Sequence, residues 1–164
     1  MKVLTIVRHA KSSWGNFELG DHERPLKEIG IIKTQKVIGY LQKVKLVPQL
    51  IISSTATRAL ETAKLLAQGV GYDENRIQIE RAIYHAGADD IYNEVFSVDS
   101  SIDSLMVVGH NPTLTDFVNN FVEPQIDNLP TSGTVCIEFD TDTWQNIVDA
   151  KFKVKFAVFP KMLQ

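Results

Sequence analysis

A chain of 164 residues with 44% apolar and 23% charged side chains has ordinary globular composition, far from the low-apolar, high-charge profile of disordered segments, and its length suits one domain, 1–164, with one core. Its formal net charge of −3 argues against nucleic-acid binding, which needs a broad basic face. No apolar run approaches the roughly 18 residues of a membrane span, and Val3 to Val7 is too short for a signal-peptide core; a cytoplasmic protein without a membrane partner is expected.

Val3 to Val7 reads as a short strand, apolar without strict alternation, of the kind buried on both faces of a parallel sheet. A helical period follows from Leu26 to Val44 after the Pro25 start signal, then a strand at Leu50 to Ile52 and a second helix from Ala56 to Gln68, closed by Gly69. Arg76 to Ile83 is a weaker strand candidate, Asp89 to Val98 a helix, Ser104 to Val108 a strand, and Pro112 to Phe121 a helix opened by its proline. Val135 to Asp140 and Ile147 to Val158 flank the polar segment Thr141 to Trp144 and predict a hairpin at the sheet edge. Cys136, the one cysteine, falls in the first of these strands and reads as a small buried hydrophobe.

Alternating strands and helices predict an α/β fold, a three-layer arrangement with a mostly parallel sheet, helices on both faces and a C-terminal edge hairpin. In such sheets ligands bind beyond the carboxyl ends of the strands. Arg8 and His9 end the first strand, Ser53 to Arg58 follow the second, and Gly109, His110 and Asn111 follow Ser104 to Val108. If those strands are parallel neighbours, two arginines and two histidines meet at one edge. Guanidinium forks suit phosphate oxygens, imidazole serves as nucleophile or donor, and Arg58 in the first turn of a helix adds the positive dipole end. The cluster fits a tetrahedral oxyanion.

The string Arg8-His9-Ala10, the block Ser53-Ser54-x-x-x-Arg58-Ala59-x-x-Thr62-Ala63 and the block Val108-Gly109-His110-Asn111-Pro112, in that order, resemble the histidine phosphatase superfamily. Arg8-His9-Ala10-Lys11-Ser12, the segment Asp21-x-x-Arg24-Pro25-Leu26-x-x-x-Gly30 and the short length resemble the SixA-type phosphohistidine phosphatases in particular. The resemblance implies a phosphoglycerate mutase-like fold and a phosphohistidine protein phosphatase acting through a phosphohistidine enzyme intermediate. His9 would be the nucleophile, and Arg8, Arg58 and a charged His110 would hold the equatorial oxygens. Arg24 matches a further arginine of that pattern, while Lys11 and Ser12 share the loop after His9 and are candidate substrate binders; Thr131 and Ser132 are weaker ones.

In the acid-phosphatase branch of the superfamily an aspartic acid follows the second histidine and protonates the leaving group, and here that position is Asn111. The departure suits a leaving group that needs little help: imidazole titrates near 6.5, whereas an alkoxide's conjugate acid lies near water's roughly 15.7. Asp21 and His85 are the remaining acid candidates. The implied partner is a phosphorylated protein of the histidine phosphotransfer type or a small phosphorylated substrate, and phosphate-like oxyanions should bind. Alternatives are a broad small-molecule phosphomonoesterase of the same superfamily and a non-catalytic phosphoprotein-binding domain. A mutase role is disfavoured, since those relatives carry long helical insertions. No ligand-spaced His or Cys pair and no Walker-type loop occurs, so no metal and no cofactor are expected.

Overall fold

The computed structural model of the chain describes residues 1–14 and 18–164. Its element order is β1 (Lys2–Arg8), α1 (Glu28–Lys43), β2 (Leu50–Ser54), α2 (Thr57–Val70), β3 (Gln78–Glu80), α3 (Ala88–Phe96), β4 (Ser104–Gly109), α4 (Thr113–Val118), β5 (Thr134–Phe139) and β6 (Phe152–Val158), with short 3-10 turns between some of them. The strands form one sheet in the order β3-β2-β4-β1-β5-β6. β1, β2, β3 and β4 run parallel, while β5 is antiparallel to β1 and pairs with β6 as the edge hairpin.

The sheet is buried on both faces, which is why its central strands lack polar alternation. One face carries Leu4, Ile6, Ile52, Leu105 and Val107 against Ile91 and Val95 of α3 and Leu114 and Phe117 of α4. The other carries Val7, Ile51, Met106 and Val108 against Val37 and Leu41 of α1 and Ala63 and Leu66 of α2. Because successive strand side chains point to opposite faces, Ile51 and Ile52, or Val107 and Val108, each feed a different core.

Four element boundaries differ from the sequence reading. Gly69 lies inside α2, where an added Cβ would stand 2.3 Å from Ile38, so it is a close-packing position; the helix is ended by Gly71 at φ 82°, the left-handed terminator that glycine favours. α4 stops at Val118 because the Asn119 amide turns the chain back, its Nδ2 donating to the Ile126 carbonyl at 2.8 Å and its Oδ1 accepting from the Ile126 N–H at 2.9 Å. Only three residues of the Arg76 to Ile83 stretch pair with β2, since Ile77 and Ile83 are drawn into the two cores on either side. The last strand starts at Phe152, not Ile147, because Trp144 and Ile147 are buried on a 3-10 turn; the Trp144 indole N–H donates to the Ile102 carbonyl at 2.8 Å.

Candidate active site

The order β2-β4-β1 brings the carboxyl ends of three parallel strands side by side, with Arg8 in register with Gly109. Arg8 ends β1 and His9 follows it, its N–H donating to the Gly109 carbonyl at 3.0 Å. His110 follows β4, and Arg58 occupies the first turn of α2 immediately after β2. These side chains meet at one cavity of about 280 Å³, which is also lined by Lys11, Ser12, Trp14, Arg24, Lys27, Asn111 and Thr131. Against roughly 30 Å³ per water in the liquid, that space holds a phosphoryl group and the start of a leaving group. Five of the lining residues are lysine or arginine and none is a carboxylate.

The loop after His9 is fixed from two sides. The Ala10 N–H donates to Thr62 Oγ1 at 2.9 Å, and that hydroxyl donates to the Arg58 carbonyl at 2.7 Å, tying β1 to the first turns of α2. Gly30 lets α1 approach: a Cβ there would lie 2.4 Å from the Lys11 carbonyl oxygen. Ser132 donates its backbone N–H to the Arg8 and His9 carbonyls at 3.0 and 3.2 Å and its hydroxyl lies 2.8 Å from Thr34 Oγ1, a supporting place rather than a cavity wall.

His9 Nδ1 lies 2.8 Å from the Ala10 carbonyl oxygen. A carbonyl only accepts, so the ring proton sits on Nδ1 and the Nε2 lone pair is free. Burial, opposed by that hydrogen bond and reinforced by Arg58, Arg8 and Arg24, lowers the His9 pKa to about 4. His110 is lowered to about 3 by burial, then by His9 and Arg58, so among its protein neighbours alone the ring is neutral. Its Nε2 lies 2.8 Å from Ser54 Oγ, which already accepts the Ala56 N–H at 3.2 Å. The Ser54 hydroxyl, which keeps a proton and a second lone pair, anchors Nε2 and leaves His110 Nδ1 facing away from it. Arg8 Nε, Arg58 Nε and His110 Nδ1 are buried and have no hydrogen-bond partner among the described residues, a concentration unusual for buried polar groups, nearly all of which are paired.

Asp21 sits behind the arginines. Its carboxylate accepts from Tyr84 Oη at 2.6 Å, Arg58 Nη2 at 3.1 Å and Arg24 Nε at 3.2 Å, and its carbonyl accepts from Arg58 Nη1 at 2.7 Å. The Tyr84 hydrogen bond first, then Arg58 and Arg24, hold the carboxyl down to about 2. The carboxylate is thus ionised at neutral pH and engaged by three donors, Tyr84, Arg58 and Arg24. His85 does not line the cavity; its ring packs on Tyr84 at 4.1 Å between centroids, and Tyr84 in turn lies 5.6 Å from His110. Arg24 is buried, donates to Ser12 Oγ at 2.8 Å and lies under the Trp14 ring, 3.4 Å from its centroid. Lys11 lies on the rim, exposed.

Asn111 borders the cavity with its amide fully engaged: Nδ2 donates to Leu129 O at 2.8 Å and Asn128 Oδ1 at 3.0 Å, and Oδ1 accepts from the Thr115 N–H and hydroxyl at 3.2 and 2.9 Å. The Leu129 carbonyl also accepts from Arg8 Nη1 at 3.0 Å. Sequence reasoning missed Trp14, Lys27, Ser54 as a partner of His110, and Tyr84; only Ser54, inside the second block, carried any local signal.

The model of the histidine phosphatase superfamily (branch 1) matches residues 4–83, a span that contains Arg8, His9, Arg24 and Arg58. Residues 4–83, from β1 through β3, are therefore similar to that superfamily. An uncharacterized chloroplastic protein of Arabidopsis thaliana is 36% identical over 116 residues, 66% of this chain and 53% of that protein. The chain thus spans about half the length of that relative. Among solved structures, the protein histidine phosphatase SixA complexed with tungstate superposes with a TM-score of 0.82 at 14% identity, covering 99% of each chain. SixA of Agrobacterium tumefaciens gives 0.77 at 22% identity, covering 96% of this chain and 97% of that one. The chain therefore has the fold of SixA. Among the described residues no group of three histidine, cysteine or carboxylate side chains gathers at metal-binding distance, and no helix is long and apolar enough to cross a membrane.

Proposed function

We propose that the chain is a phosphohistidine protein phosphatase that takes the phosphoryl group onto His9 Nε2 and passes it to water. The observation that carries this reading is the cavity itself: an imidazole with its Nδ1 proton fixed on a carbonyl, beside three buried unpartnered nitrogens of Arg8, Arg58 and His110, with no carboxylate on the wall. His9 Nε2 attacks phosphorus, and the bond to the leaving group breaks with its electron pair going to that group. Arg8, Arg58 and the His110 Nδ1–H stabilise charge on the three equatorial oxygens throughout. Water then attacks the phosphorus of phospho-His9, inorganic phosphate departs, and His9 is regenerated.

A wall of five cations and no acid favours leaving groups that depart without a protein proton. Imidazole, which leaves neutral once its free ring nitrogen has taken a proton from solvent, and phenol, titrating near 6.5 and 10, meet that condition better than alkoxides. The tungstate complex of SixA shows that a protein of this fold accommodates a phosphate-like anion, which supports the same reading here. Turnover of phosphohistidine, phosphotyrosine, phosphoserine and sugar-phosphate substrates, measured together with alkaline-quench trapping of the acid-labile phosphoenzyme, tests it. Phosphohistidine should rank first and the trapped phosphoryl group should vanish with His9→Ala. Equal efficiency on phosphoserine would instead favour a broad phosphomonoesterase.

A further inference from the structure

Two tryptophans occupy opposite environments. Trp144 is fully buried in the core, whereas Trp14 is 69% exposed although it borders the cavity. A single exposed apolar residue is ordinary, but this one borders the cavity and presents a flat face suited to stacking. The ring is held in place: the Arg24 guanidinium lies 3.4 Å from its centroid, and Arg24 is itself fixed by Ser12 Oγ at 2.8 Å and Asp21 Oδ1 at 3.2 Å. One face of the indole is thus covered by a cation and the rest is open. Arg24 and Trp14 both line the cavity that holds His9, so an aromatic ring attached to a phosphoryl group there has a planar neighbour at the mouth.

A separate observation points to the same ligand class. With no carboxylate on the wall, leaving groups of low basicity are favoured, and among these imidazole and phenol, unlike carboxylate or phosphate, present a ring that an indole can stack on. We propose that the Trp14 indole is the leaving-group platform of the site, selecting aromatic and heteroaromatic phosphoryl compounds by stacking. The proposal rests on the reading of the cavity as a phosphoryl site.

Phenylphosphonate and methylphosphonate, which cannot be hydrolysed at the P–C bond, separate ring recognition from phosphoryl recognition and from turnover. Their affinities would be measured by titration calorimetry on the wild-type chain, Trp14→Ala and Trp14→Phe, with circular dichroism to confirm folding of each variant. The wild type should bind phenylphosphonate about tenfold more tightly than methylphosphonate, the scale for one stacked aromatic pair. Trp14→Ala should bring that ratio near one while changing methylphosphonate affinity less than threefold, since Ser12 and Asp21 still hold Arg24; Trp14→Phe should keep most of the preference. A preference that survives Trp14→Ala, no preference in the wild type, or a parallel loss of both ligands would overturn the proposal, the last identifying Trp14 as a buttress of Arg24. If neither phosphonate binds the wild type, the phosphoryl-site reading falls and takes the platform with it. If both bind without a ring preference, that reading stands and only the platform fails.

Discussion

The inner wall of the site and its rim are built differently. Arg8, His9, Arg58 and His110 come from the ends of three hydrogen-bonded parallel strands and the first turn of α2, so their relative positions are set by the sheet and by the two cores beneath it. Lys11, Trp14 and Lys27 sit on the connection between β1 and α1, exposed, with Arg24 the one buried anchor. The inner wall stands on rigid elements and the rim on a loop, and the two are joined at Asp21, which accepts from both Arg58 and Arg24.

The largest effect should come from the inner wall. His9→Ala should remove turnover and the trapped phosphoenzyme together while leaving the circular dichroism spectrum unchanged; residual multiple turnover would mean another nucleophile. Arg58→Ala should lower kcat by about a hundred- to a thousand-fold, the scale for losing one donor to developing charge, and a loss under tenfold would make Arg58 a structural residue. Asp21→Asn tests the link between the two regions, because its carboxylate holds both Arg58 and Arg24. A drop of about tenfold in kcat/KM is expected, without the basic-limb pH shift that removal of a proton donor would give.

Asn111→Asp carries a sharper consequence than a missing acid suggests. The amide donates to Leu129 O and Asn128 Oδ1, and a carboxylate cannot, so the variant should lose about 1–3 kcal/mol of stability, the scale for two lost hydrogen bonds, with lower activity on every substrate. A gain on alkyl phosphates without loss of stability would contradict the contacts described. Acid sensitivity should also trace to the inner wall. Both histidines titrate lower folded than unfolded, near 4 and 3 against 6.5. Between about pH 6.5 and 3 the unfolded chain binds more protons, so stability falls as pH drops through that window. Thermal unfolding across it should show the fall, and His110→Asn should flatten it. The smallest effect belongs to the rim: removing Lys11 and Lys27 together should weaken acidic substrates only a few-fold, and the difference should fade in high salt because both are exposed.

The inner wall was legible because its signals are local. A buried strand announces itself as an apolar run, and the residue that ends it is named by the same run, so Arg8, His9 and His110 could be placed before any packing was known. Arg58 followed from a helix start. The rim was not legible, since nothing periodic in the segment from Lys11 to Lys27 says that Trp14 lies over Arg24 or that Asp21 reaches Tyr84, 63 residues away. The same limit explains the Trp144 turn: a segment rich in threonine and aspartate reads as solvent-facing until the Ile102 carbonyl that receives the indole is in place. Ser54 shows the middle case, a residue noticed for its block whose work, anchoring the His110 ring, depends on a contact across 56 positions.

The Leu129 carbonyl has a practical meaning for redesign. Because it accepts from both Arg8 and Asn111, the loop that contains it is joined to the chemistry, and exchanging that loop to obtain a new specificity would drag an oxyanion-binding arginine along with it. The connection between β1 and α1 is tied in as well, through Asp21 to Arg58, so for anyone grafting recognition onto this scaffold both Asp21 and the turn at Leu129 are better treated as part of the engine.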